Sequence, residues 1–91
     1  MRRRVVVSGR VQGVGFRWSA AAEAERLGVT GSIRNLQEGF VEAEISGEPS
    51  AVEHFTEWLR VGPTSARVDN VVIEELLDHP DDIRSTGFQI R

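Results

Sequence analysis

Three consecutive valines, Val5-Val6-Val7, stand between Arg2-Arg3-Arg4 and Ser8-Gly9-Arg10. A β-branched run of this kind predicts a buried strand over Arg3–Arg10. From Trp18 to Leu27 the period changes: Ala20, Ala24 and Leu27 form an i, i+4, i+7 stripe with Glu23, Glu25 and Arg26 off it, so a helix is expected, ended by Gly28. Val29–Leu36 and Phe40–Ser46 read as strands joined by the turn Gln37-Glu38-Gly39. In the second of them Val41, Ala43 and Ile45 alternate with Glu42 and Glu44, which buries one face and wets the other. Gly47–Ser50 opens a second helix with Pro49 in its first turn; Val52, Phe55 and Leu59 make its apolar face, Trp58 lies beside them, and Gly62-Pro63 stops it. Val68–Leu77 is a further strand, Asp78–Ser85 a polar loop, and Thr86–Arg91 a short last strand around Phe88 and Ile90.

Strand, helix, strand, strand, helix, strand, with a short C-terminal strand, is the order of an α+β ferredoxin-like βαββαβ sandwich. Two helices would cover one face of an antiparallel sheet, and Glu42 and Glu44 would lie on its open face. The 91 residues are expected to form one domain. A chain of this size buries about 60–70% of its unfolded surface. Composition supports a globular chain, with 40% hydrophobic and 27% charged residues. Cysteine is absent, which excludes disulfides, cysteine-based zinc sites and thiol nucleophiles. No apolar run reaches the roughly 7–15 residues of a signal h-region or the ~20 of a membrane span. A cytoplasmic location and no membrane partner are therefore expected. A net charge of −3 argues against nucleic acid as a partner. All eleven Lys+Arg residues are arginine. Most fall at helix exteriors, strand ends and termini where lysine would serve, and Arg17 alone is expected to need a planar fork.

Candidate chemistry is sparse. His54 on the polar side of the second helix, and His79, Asp78, Asp81 and Asp82 in the polar loop, read as surface groups; the alternating oxygen pattern of a calcium loop is missing. Neither a metal nor an organic cofactor is expected. The segment from Val11 to Arg17 differs. Gly13 and Gly15 stand two residues apart between a strand and a helix start, where free amides and the helix dipole favour an anion. Arg17 could grip two phosphate oxygens at once. The spacing matches neither the dinucleotide fingerprint nor the P-loop. A glycine-containing connection followed by an ordinary surface arginine is the competing reading. In the next strand, alternation puts Asn35 on the core-facing side with Ile33, and Arg34 on the solvent side. Asn35 could hold a water beside a bound phosphate, or simply cap the hairpin turn.

The run Ser8-Gly9-Arg10-Val11-Gln12-Gly13-Val14-Gly15-Phe16-Arg17 resembles the G-x-V-Q-G-V-x-F-R signature of the acylphosphatase family. Arg26-Leu27-Gly28-Val29-Thr30-Gly31-Ser32-Ile33-Arg34-Asn35 is similar to its second signature, L-G-x-x-G-W-V-R-N. Gly39-Phe40-Val41-Glu42 and Trp58-Leu59-Arg60-Val61-Gly62-Pro63 also follow the family pattern, so the similarity runs through nearly the whole chain. The resemblance implies hydrolysis of the carboxyl-phosphate bond of small acyl phosphates to carboxylate and inorganic phosphate. It implies that Arg17 binds the phosphate, that Asn35 orients the attacking water, and that the amides of Gln12, Gly13, Val14, Gly15, Phe16 and Arg17 form the cradle. Ser32 stands where the family usually has tryptophan; facing away from the core beside Arg34, it is expected to affect stability or surface packing rather than chemistry.

Leaving-group chemistry agrees with this expectation. A carboxylate, whose conjugate acid has a pKa near 4, departs without the strong acid, metal or covalent nucleophile that an alkoxide requires. The alternative from another class is a non-catalytic ferredoxin-like module that binds a phosphorylated metabolite or anion. A carbamoyl-phosphate-handling module of a larger maturation protein is a further possibility that the resemblance admits, although the chain reads as autonomous. An RNA-binding sheet would want exposed aromatics where this one has Glu42 and Glu44. The expected partners are thus a small acyl phosphate and inorganic phosphate, acting on a monomer.

Overall fold

Val5 and Val7 are fully buried while Val6 between them is only half-buried, so the valine run is a strand with one core face. The structure, a computed structural model, describes residues 1–78 and 87–91. His79, Asp81, Asp82 and the rest of the expected polar loop after Asp78, with Thr86, lie outside the described residues. The elements are β1 (Arg2–Arg10), α1 (Phe16–Leu27), β2 (Thr30–Asn35), β3 (Val41–Ser46), α2 (Pro49–Leu59), β4 (Arg67–Leu76) and β5 (Phe88–Ile90). Among the described residues no helix is long and apolar enough to cross a membrane.

The five strands form one sheet in the order β4-β1-β3-β2-β5. β1 pairs antiparallel with β3 and β4, and β2 pairs antiparallel with β3. β3 therefore separates β1 from β2, which α1 connects as parallel strands: the split βαβ unit of a ferredoxin-like fold. The fifth strand differs from the antiparallel expectation. β5 runs parallel to β2, with Gly31 opposite Phe88 and Ile33 opposite Ile90, so the sheet is mixed at that edge. The core fills the space between one sheet face and the helices: Val5, Val7, Ile33, Val41, Ala43 and Ile45 meet Phe16, Ala20 and Ala24 of α1 and Val52, Phe55 and Leu59 of α2. Each of these is at most 2% exposed, which matches the expected alternation and the α2 face; of the expected α1 stripe Ala20 and Ala24 are buried, while Leu27 is only half-buried at the edge of the core.

α1 begins at Phe16, two residues before the expected start at Trp18. Gly15 precedes it in the left-handed region (φ 77°, ψ 18°) and turns the chain into the helix at once. Burial then holds Phe16 in place: its ring meets Trp58 of α2 edge-on at 5.6 Å, and Trp58 stacks on Phe55 at 6.1 Å. The β1–β4 ladder carries a bulge where Ser8 and Gly9 face Asn70 and Val68, with Asp69 of β4 as the extra residue.

Arg17 was expected to be the one arginine that needs a planar fork, but Arg3 uses one inside the fold: it projects from the core face of β1 and is 8% exposed. Its Nε donates to both carboxylate oxygens of Glu75 at 2.8 and 3.0 Å, its Nη1 donates to Thr56 Oγ1 at 3.1 Å, and its Nη2 donates to Glu53. A lysine has one nitrogen and could not hold β4 and two sites on α2 together. On the open face Arg4 joins Glu74 at 2.8 Å, Glu42 at 3.5 Å and Glu44 at 3.6 Å, while Arg34 holds Glu42 at 2.9 Å. The glutamates expected on that face are thus paired, not merely solvated.

The hydrogen bond from Arg3 holds the Glu75 carboxyl below the ordinary glutamate range. A carboxylate with a lowered folded pKa contributes stability above its unfolded pKa and loses it as pH falls through the folded value. Arg3→Gln is therefore expected to lower Tm at pH 7 by roughly 5 °C or more. The gap from the parent protein should narrow in thermal melts below about pH 4. A gap of constant size down to pH 2 would show that the ion pair is not its source.

Candidate active site

The loop between β1 and α1 is set by backbone conformation before any side chain acts. Gly13 and Gly15 both have positive φ, 74° and 77°, and a Cβ at either would meet nothing within 4 Å. Their requirement is therefore conformational, and the space in front of them is open. Among the described residues no side chain caps α1, and no acidic residue stands in its first turn. Among the described residues the first helix bond at this end runs from Ser19 N–H to the Gly15 carbonyl at 3.0 Å. The N–H groups from Gln12 to Trp18 have no backbone acceptor among the described residues. A helix start with free amides and no capping carboxylate is a local excess of positive charge.

Phe16 and Arg17 belong to the first turn of α1 rather than to the loop. The Phe16 side chain is in the core, so its backbone amide is the group it has left to offer the loop. Arg17 is half-buried, and its Nη1 donates to the carbonyl of Arg91 at 3.1 Å. Arg91 N–H in turn donates to the Ile33 carbonyl at 2.8 Å. The guanidinium is thereby tied to β2 two residues before Asn35.

Asn35 is the last residue of β2, opposite Val41, and its side chain is exposed. It shares strand parity with the buried Ile33, as alternation requires, while Arg34 points to the open face and pairs with Glu42. The hairpin turn is closed without Asn35. Leu36 N–H donates to the Phe40 carbonyl at 2.8 Å and Gly39 N–H to the Leu36 carbonyl at 3.2 Å. No hydrogen bond holds the Asn35 carboxamide among the described residues, so both its donor and its acceptor are available.

Three contacts of the loop have no local sequence signal. Gln12 Nε2 donates to the carbonyls of Leu36 and Phe40, both at 2.8 Å, which lashes the loop to the end of β2. Ser65 Oγ donates to the Val14 carbonyl at 2.8 Å. Gly62 has φ 70° and lies under the Phe16 ring, where a Cβ would press on the ring carbons. All three join residues far apart in the chain. Together the contacts bring Gln12, Gly13, Val14, Gly15, Phe16, Arg17 and Asn35 to one end of the sheet, at the start of α1. His54, exposed on α2, is not among them.

Residues 3–90 match the family model Acylphosphatase. The chain is 58% identical over 74 residues to the acylphosphatase of Anaeromyxobacter dehalogenans, covering 81% of this chain and 80% of that one. It is 50% identical over 88 residues to the acylphosphatase of Rubrobacter xylanophilus, covering 97% of this chain and 77% of the other. The crystal structure of acylphosphatase from Bacillus subtilis superposes with a TM-score of 0.91 at 30% identity, covering 99% of this chain and 97% of that one. With both the sequence match and the superposition running from β1 to β5, this chain belongs to the acylphosphatase family of hydrolases.

Proposed function

We propose that this chain hydrolyses the carboxyl-phosphate bond of small acyl phosphates without a metal, with the phosphate held by the Gln12–Arg17 amides and Arg17 and the water oriented by Asn35. The observation that carries this assignment is the row of amides without a partner among the described residues, at the start of α1 that also carries Arg17. Phosphoryl transfer to water depends mainly on positioning and charge stabilisation. Amides and guanidinium neutralise the non-bridging oxygens and bind more tightly as charge redistributes in the transition state. The Asn35 carboxamide is not a base at neutral pH; it accepts from and donates to the attacking water, fixing it in line. The carboxylate leaves without protonation, because its conjugate acid has a pKa near 4.

A turnover assay over a panel of substrates tests this. Acetyl and benzoyl phosphate should be hydrolysed, and phosphate monoesters should not, since an alkoxide needs a proton donor that this arrangement lacks. Inorganic phosphate should inhibit competitively, and EDTA should leave the rate unchanged; dependence on added metal would overturn the mechanism. Arg34→Gln, on the open face, should keep most of the activity and cost at most about 1 kcal/mol of stability, as exposed ion pairs do.

A further inference from the structure

Gln12 offers its backbone amide to the cradle, but its side chain points elsewhere. Both hydrogens of its Nε2 are used, one on the Leu36 carbonyl and one on the Phe40 carbonyl, each at 2.8 Å. Those carbonyls belong to the two ends of the turn from β2 to β3. Each already accepts a turn hydrogen bond, from Gly39 N–H and Leu36 N–H respectively. Gln12 therefore takes the second lone pair of each carbonyl. The turn closes without Gln12, and what Gln12 adds is the position of that turn relative to the loop.

Leu36 directly follows Asn35 in the chain. We infer that Gln12 is a positioning residue for hydrolysis: by clamping the β2–β3 turn to the phosphate loop it sets where the Asn35 carboxamide stands relative to the bound phosphate. This rests on the assignment of Asn35 and the loop made under Proposed function. The Asn35 side chain has no protein partner of its own among the described residues, and hairpin ends are the mobile part of a sheet. In-line attack tolerates little error, because a displacement near 1 Å can cost about 10²-fold in rate. A glutamate at this position would set a carboxylate against two carbonyl oxygens, and an aliphatic residue would release the turn.

The test uses four proteins: the parent, Gln12→Met, Asn35→Ala and the double variant, each assayed for benzoyl phosphate turnover and inhibition by inorganic phosphate. Gln12→Met should lower kcat by about tenfold or more. The inhibition constant for phosphate should move less than about threefold, because the loop amides remain. In the Asn35→Ala background the same change should cost less than about threefold, since the residue through which Gln12 acts is gone. An equal loss in both backgrounds would overturn the inference, and partial unfolding would produce that same result. So would a phosphate inhibition constant that rises in step with the loss of kcat. A Gln12→Met enzyme with full kcat beside an impaired Asn35→Ala enzyme would overturn the inference alone. Full activity in Asn35→Ala would instead overturn the assignment of Asn35, and the role of Gln12 with it.

Discussion

Arg17→Gln is expected to reduce kcat for acyl phosphate hydrolysis by about 10³-fold or more. Glutamine keeps much of the length and one NH₂ donor but loses the charge and the fork. The loop amides would still bind phosphate. The guanidinium is the one full positive charge that the proposed site brings to the phosphate, so its loss falls on the transition state. Folding should survive, because among the described residues the half-buried Arg17 side chain makes one protein hydrogen bond, to the Arg91 carbonyl. Such a bond is worth about 0.5–1.5 kcal/mol, small against a typical stability of about 5–15 kcal/mol. Arg17→Lys should recover part of the activity, since a point charge replaces only half of what a bidentate donor supplies. Activity of Arg17→Gln within tenfold of the parent, with an unchanged thermal midpoint, would remove Arg17 from the mechanism.

Gly31→Ala should be among the most damaging single-methyl changes, costing about 3 kcal/mol or more in urea unfolding. Gly31 adopts φ 136°, a region essentially closed to residues with a side chain, and its added Cβ would overlap the Glu44 carbonyl oxygen across the β2–β3 pair. Relief requires those strands to separate where Gly31 faces Ile45, and the same residue donates its N–H to the Gly87 carbonyl at 3.2 Å. Gly28→Ala is the comparison. Gly28 has φ 75° at the end of α1, but a Cβ there meets open space, so only the left-handed conformation is penalised, at about 1 kcal/mol. Equal losses in the two variants would mean that the carbonyl overlap has no part in the effect.

The elements legible in the sequence are those whose pattern reflects local geometry. Alternation of Val41, Ala43 and Ile45 with Glu42 and Glu44, and the stripe of Ala20 and Ala24, match buried faces because strand and helix periods fix which side chains share a side. The same reasoning placed Arg34 on the open face. The loop glycines Gly13 and Gly15 were also visible, because positive φ restricts residue type at single positions. The start of α1 was not, since it depends on Phe16 packing against Trp58 from the other helix. Nor was Arg3, a charge inside an apolar alternation, whose burial is made favourable by Glu53, Thr56 and Glu75 from later elements.

By itself the sequence determined the order of strands and helices, most core-facing positions and the short two-glycine loop between β1 and α1, all properties of neighbouring residues. Only the tertiary structure decided that β5 would add to β2 as a parallel edge, that Arg17 would be tied to Arg91, and that Gln12 would reach across to the β2–β3 turn. Those outcomes depend on which backbone carbonyls folding brings within hydrogen-bond reach of residues distant in the chain. No local pattern encodes that distance.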